Sequence, residues 1–238
     1  MVRVFLDIDV GDPAKSKEET EAYNQTCQYL KDVGHKQLGL DAATPDELDK
    51  EGRTLLEEAY EGAQGKGGKL RFAKPRPLRA GRLVIETYPD QVPKTVANFR
   101  CLVTGEKGKS KASGKQLAYR GVPFHRIVSG FVCQGGDFVR GDGSGGESIY
   151  GGKFNDEKPG LKLKHDGPGV VGMANSGKNS NSCQFYITLK AAPQLDGKHV
   201  VFGRVVEGLD VLSRIELEAA SPDGKPRISV TMADCGLL

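Results

Sequence analysis

The side chains of this chain that are able to do chemistry are few and scattered. Five cysteines, Cys27, Cys101, Cys133, Cys183 and Cys235, make an odd number with no C-x-x-C pair, and His35, His125, His165 and His199 stand at no ligand spacing from them. Neither a disulfide framework nor a metal site is expected, and reduced thiols fit a cytosolic-type compartment. Gly141, Gly143 and Gly146 satisfy G-x-G-x-x-G, but ESIYGGKF follows, with no helical start to turn a positive end toward phosphate, so the glycines read as tight turns. GEKGKS, from Gly105 to Ser110, imitates a P-loop, yet the first required glycine falls at Val103. Lys107, Lys109, Lys111 and Lys115 read as a solvated loop, since Tyr119 is the one nearby stacking platform for a nucleic acid. In FHRIVSGFVCQGGDF, from Phe124 to Phe138, Arg126 sits among aromatic and amide-bearing neighbours.

The elements that must position these residues are mostly strands. The 32 glycines in 238 residues are roughly twice the ordinary share of about 7%, which favours many turns over a helical bundle. Val2, Val4, Leu6, Ile8 and Val10 alternate with Arg3, Phe5, Asp7 and Asp9, the period of a half-buried strand, and a strand starting so early leaves no room for a targeting peptide. Residues 12–61 then carry 13 acidic and 6 basic side chains, a local charge of −7. Ser16 with Glu19 forms a capping-box pattern, followed by Tyr23, Cys27 and Leu30 at helical spacing and Gly34 as a stop. Thr44, Pro45 and Glu47 repeat the start signal, and Leu48, Leu55 and Ala59 give a second stripe ending at Gly62, so a helical hairpin is predicted. Residues 62–85 hold Lys66, Lys69, Arg71, Lys74, Arg76, Arg79 and Arg82 and no acid, and most of this reads as a basic linker.

From Leu83 onward, LVIETY, GVPFHRIV, CQGGDFV, GVVGMAN, CQFYITL, HVVFGRVV and ISVTMADC predict strands of a barrel or sandwich. Two helices interrupt them, one starting near Pro93 with Val96, Phe99 and Leu102, the other near Leu209 with Leu212 and Ile215. A net charge of +3 announces neither nucleic acid nor membrane as the main partner, and no apolar run approaches the ~20 residues of a membrane span. A soluble protein is expected.

VPKTVANFR and TGEKG, then Phe124 to Phe138, GMANSGKNSNSCQFYIT, LDGKHVVFG and ADCG, occur in this order along the chain and together closely resemble the cyclophilin family of peptidyl-prolyl cis-trans isomerases. The resemblance covers residues 1–10 and 80–238 and leaves 11–79 as a helical insertion and basic linker after the first strand. It implies a mainly β fold, an eight-stranded antiparallel barrel capped by two helices, with a proline-binding groove on its outer face, no cofactor and proline-containing protein segments as substrates. Arg126, in the family's FHR context, is the implied catalytic residue. Phe131, Val132, Tyr186 and Leu195 match the proline pocket, Gln134, Asn175 and Gln184 the positions that hold the substrate backbone, Ala174 the floor, and His199 the border of the proline site. Read without the resemblance, Phe131, Val132 and Leu195 are ordinary core, and Gln134, Asn175 and Gln184 are turn or strand-edge residues bonded to backbone. His199 divides between pocket lining and structure, and His125, in a reaction that moves no proton, reads as a packed, hydrogen-bonded histidine.

Three positions depart from the family. Val132 stands where methionine is usual, Tyr186 where phenylalanine is usual, and Gln194 where many members carry the tryptophan that contacts cyclosporin. The segment GKSKASGKQL, residues 108–117, resembles the longer loop of divergent cyclophilins, some of them redox-sensitive. The resemblance implies an isomerase acting in the cytoplasm, the nucleus or a cytosolic assembly. The rival is a proline-segment binding or scaffold subunit docked through residues 11–79 onto a protein partner.

Overall fold

Val4, Leu6, Ile8 and Val10 are all buried, and the alternation that predicts a strand is β1 (Val2–Val10). The computed structural model describes residues 2–64 and 69–238. Lys66, part of the basic run, lies outside the described residues. The chain divides into two units, one holding β1 and everything from Arg79 to Leu238, the other formed by Gly11–Leu78.

In the first unit, β2 (Arg79–Thr87), β3 (Phe124–Val128), β4 (Val132–Gly135), β5 (Val170–Met173), β6 (Phe185–Thr188), β7 (Val201–Glu207) and β8 (Val230–Leu237) join β1 in one sheet. Its order is β3-β4-β6-β5-β7-β2-β1-β8, with antiparallel neighbours. The two edges meet at a bridge between Pro123 and Thr231, where Met232 N–H donates to Val122 O at 3.0 Å, so the barrel is nearly closed. Side chains alternate across each strand, and Ile127, Cys133, Phe185, Ile187 and Val171 point into the core. There Phe185 packs against Phe99, Tyr119 and Phe124 at ring separations of 5.1, 5.2 and 5.9 Å. Truncating such a ring to alanine costs about 3–5 kcal/mol.

Part of the predicted linker is strand. Arg79 and Arg82 belong to β2, where Arg82 donates to both carboxylate oxygens of Asp7 at 2.6 and 2.9 Å, and Arg79 Nε donates to Asp9 Oδ1 at 2.5 Å. The Arg82 guanidinium also lies 3.9 Å from the Phe5 ring centroid. Cross-strand pairing thus consumes charge that looks unpartnered in sequence, because its acids lie some 70 residues away in β1.

The Gly11–Leu78 unit contains α1 (Pro13–Tyr29) and α2 (Lys50–Gln64). The predicted starts and stops shift. Asp12, not Ser16, caps α1, its Oδ1 accepting from Ala14 N at 2.8 Å, with Pro13 in the first helical position. Gly34 does not stop the helix. The chain continues through a wide turn, Leu30–Gly34, to Gln37, and Gly34 is a packing glycine whose added Cβ would lie 2.6 Å from Leu30 Cδ1. Thr44–Glu47 forms a single turn, Pro45–Glu47, and α2 begins only at Lys50. Leu56, fully buried beside Leu30 and Leu48, fills the core place predicted for Leu55, which is 41% exposed. Tyr29 meets Tyr60 edge to face at 4.9 Å, which ties the two helices together. Leu70 and Phe72, read as linker, pack on this small core, and Arg71 N–H donates to Thr26 Oγ1 at 2.9 Å.

Three helices accompany the barrel: α3 (Pro93–Thr104), α4 (Lys158–Lys162) and α5 (Leu209–Ala219). Val96, Phe99 and Leu102 of α3 and Leu212 and Ile215 of α5 are buried as their spacing predicts. The α3 start is capped from afar: the Glu157 carboxylate accepts from Lys94 N and Thr95 N at 3.1 and 2.8 Å, an anion at the positive end of the helix.

Candidate functional site

Register builds the site. Arg126 pairs with Gln134 across β3–β4, Gln134 with Tyr186 across β4–β6, and Tyr186 with Gly172 across β5–β6. Neighbours of the core-facing residues, these four share the outer face in one cross-strand row. Arg126 is exposed and its side chain makes no hydrogen bond or ion pair among the described residues, so its guanidinium is uncommitted. Val132, two positions before Gln134, shares that face and is 3% exposed, while Phe131 is half-buried in the β3–β4 turn, its carbonyl accepting from Leu189 N at 2.8 Å.

A polar cleft of about 290 Å³ continues the row. Gln134, Ala174, Asn175 and Gln184 line it together with Gly143, Ser144, Gly145, Lys153, Ser176, Ser180 and Ser182. Gln134 Nε2 donates to Gln184 Oε1 at 2.9 Å, and Gln184 Nε2 donates to the carbonyls of Gly143 and Gly145 at 2.8 and 2.5 Å. Both donors of Gln184 are therefore taken, as its strand-edge reading implies, and the residue braces Gln134 and the loop. Asn175 likewise spends its side chain inside the protein, donating to Lys198 O at 2.9 Å and accepting from Gly177 N at 3.2 Å. Ala174 N–H donates to Gln184 O at 3.0 Å.

The loop that carries Gly143 and Gly146, read from sequence as tight turns, is a wall of this cleft. Asp137, 1% exposed, folds it by accepting from the N–H groups of Val139, Arg140, Gly143 and Gly145 at 3.1, 3.0, 2.9 and 3.0 Å. Burial pushes the Asp137 carboxyl up, but these four donors outweigh it and hold the group below the usual carboxylate value. Gly143 has φ +89°, and a Cβ there would lie 2.6 Å from the His125 ring. The serines and Lys153 were missed because they are spread through turns with no periodicity of their own; the glycine run was the available signal.

On the other side of the row, the Tyr186 ring meets His199 edge to face at 5.5 Å, and His199 Nδ1–H donates to Met173 O at 3.0 Å. Burial lowers the pKa of both His199 and His125. Leu195 is half-buried in the turn Pro193–Leu195, whereas Gln194 is exposed, its carbonyl accepting from Lys198 Nζ at 3.1 Å. His125, expected to be hydrogen-bonded, has a buried Nδ1 without a partner among the described residues.

Nucleophilic chemistry finds no support here. All five cysteines are free, and burial pushes Cys133 up to about 12 and Cys235 up to about 11, so these two thiols stay protonated at neutral pH. No group of three or more His, Cys, Asp or Glu side chains among the described residues could hold a metal ion, and no described helix is long and apolar enough to cross a membrane.

The outer face of this nearly closed antiparallel barrel thus carries an uncommitted arginine in one row with Gln134 and Tyr186, with the half-buried Phe131 and Leu195 in turns. Residues 76–237 match the family described as cyclophilin type peptidyl-prolyl cis-trans isomerase/CLD, and the chain belongs to that family. A peptidyl-prolyl cis-trans isomerase, cyp11, of Rhizopus delemar is 53% identical over 160 residues, covering 67% of this chain and 47% of that relative. The chain thus spans about half the length of the curated relative it matches. The family match starts at residue 76, yet β1, far upstream, completes the barrel between β2 and β8.

Proposed function

We propose that this chain catalyses cis-trans isomerisation of X-Pro bonds in protein segments, with Arg126 as the catalytic residue. The carrying observation is the outer row in which the uncommitted Arg126 faces Gln134 and Tyr186. Rotation about an X-Pro bond crosses about 18–20 kcal/mol because amide resonance must be broken. As the amide twists, the lone pair localises on the prolyl nitrogen. A permanently charged, planar donor held there bonds the twisted state more strongly than either planar one, which is the condition for lowering a barrier. Lowering it by ~7 kcal/mol gives about 10⁵-fold acceleration.

The proline ring rests against Phe131, Val132, Tyr186 and Leu195, with Ala174 as floor and His199 as border. Gln134 holds the peptide directly. Gln184 acts through Gln134 because its own donors are taken, and Asn175 contributes main chain, its side chain being engaged. The rate of exchange of a short proline peptide, measured by NMR with and without protein, tests the proposal. An unchanged rate would leave a binding module.

A second role belongs to the insertion. Gly11–Leu78 has its own core, and an acidic stretch over residues 12–61 with a charge of −7 is followed by a basic one, which supports a docking surface for a protein partner that sets where the barrel works.

A further inference from the structure

Tyr186 carries a hydroxyl that the isomerisation above does not use, and a buried chain of hydrogen bonds takes it up. Tyr186 Oη lies 2.7 Å from His165 Nε2, and His165 Nδ1 lies 2.8 Å from Asp196 Oδ1. A carboxylate only accepts, so the imidazole proton sits on Nδ1, and in the neutral ring Nε2 accepts the tyrosine proton. Asp196 Oδ1 also accepts from the His165 backbone N–H at 3.0 Å, and Lys164 Nζ lies 3.2 Å from Oδ2. The hydrogen bond from His165 is the largest influence lowering the Asp196 carboxyl, to about 2, so the chain ends on a fixed anion. The His165 side chain is 0% exposed, and burial raises the Tyr186 phenol far above its ordinary value.

The chain joins two walls of one pocket. Tyr186 stands on β6, and Asp196 directly follows the Pro193–Leu195 turn that carries Gln194 and Leu195. His165 spans the gap between them and also fastens its own loop, its carbonyl accepting from Ala192 N at 2.8 Å. The ring is held on further sides by the His199 edge contact and by the bare backbone of Gly172 opposite.

We propose that the Asp196–His165–Tyr186 hydrogen-bond chain fixes the tyrosine wall of the proline pocket against the Leu195 turn, making His165 and Asp196 positioning residues for substrate binding. The proposal rests on the reading of Tyr186 as a pocket wall. Preorganisation of this kind acts on affinity, because a ring already in place loses no freedom when the proline arrives.

The test combines isomerisation kinetics on a proline tetrapeptide with NMR of the Tyr186 ring in labelled protein. His165→Leu should raise KM about fivefold with kcat changed less than about twofold, and should speed Tyr186 ring flipping. Asp196→Ala, at the outer end of the chain, should shift KM and ring flipping in the same direction and serves where the buried substitution fails to fold. In a Tyr186→Phe background, either change should alter KM less than about 1.5-fold, since the hydroxyl through which they act is gone. Equal effects in both backgrounds, or unchanged ring flipping, would overturn the chain. Peptide titration into the unaltered protein separates the two readings: no shift of the Tyr186 ring signals refutes its place in the pocket, whereas a shift with unaltered flipping in the variants refutes the chain alone.

Discussion

Gly172 stands opposite Tyr186 in the β5–β6 ladder, and a Cβ added to Gly172 would lie 2.5 Å from Tyr186 Cζ. The missing side chain on one strand makes room for the extra hydroxyl on the next. Gly172→Ala is therefore expected to overpack this point, costing about 1–3 kcal/mol and raising KM as the ring is pushed aside. Tyr186→Phe in the same background removes the nearest atom and should recover part of the loss. Thermal denaturation and steady-state kinetics of the single and double variants check this; a Gly172→Ala protein with unchanged Tm and KM would refute the packing argument.

Arg126 supports no ion pair among the described residues, so its removal should spare the fold. Arg126→Ala is expected to lower kcat/KM at least about tenfold with Tm nearly unchanged, and lysine should rescue poorly because it lacks planar, directed donors. Full activity in the alanine variant would remove Arg126 from the mechanism.

Gln194 is exposed on the turn next to Leu195 and offers less apolar area than a tryptophan and no indole donor. Weak inhibition by cyclosporin is expected, tightened by Gln194→Trp. Identical inhibition curves for the two proteins would exclude this position from drug binding.

Lengthening the β1–β2 connection from about 5 to about 70 residues adds only about 2 kcal/mol of loop-closure entropy, and Gly11–Leu78 forms its own core. Replacing those residues with a short glycine-containing turn should preserve peptide isomerisation and abolish co-purification with the native partner. A folded but inactive shortened protein would place part of the active site in the insertion.

Asp7 is held below the usual carboxylate value, first by its hydrogen bonds from Arg82 and then by the charges of Arg82 and Arg79, against burial. A carboxyl with a depressed folded pKa contributes stability that is present above its unfolded value of about 3.9 and lost as pH falls through the folded value. Tm should be level above about pH 5 and drop below about pH 4. Asp7→Asn should lower Tm at neutral pH and flatten the acid limb. An acid limb of unchanged slope would assign it to other carboxyls, Asp137 first among them.

Much of the architecture was legible in order along the chain, because each pattern reports which face of its own element is apolar. The alternation of Val2 to Val10, and the spacing of Val96, Phe99 and Leu102, needed no knowledge of what they pack against. The candidate site residues came from the resemblance of the motif around Arg126, and the register places Arg126 and Gln134 opposite one another, on the face away from Ile127 and Cys133. Sequence could not choose between neighbouring candidates where a distant partner decides. Leu56 rather than Leu55 is core because Leu30 and Leu48 lie on that side of α2, and Asp12 rather than Ser16 caps α1 because Pro13 already starts the helix. Arg79 looked like linker until β1 brought Asp7 and Asp9 beside it. His165 gave no signal at all, since its meaning lies in two hydrogen bonds to residues 21 and 31 positions away. Local periodicity encodes a face; which groups meet across that face is fixed only when long-range pairing sets the register.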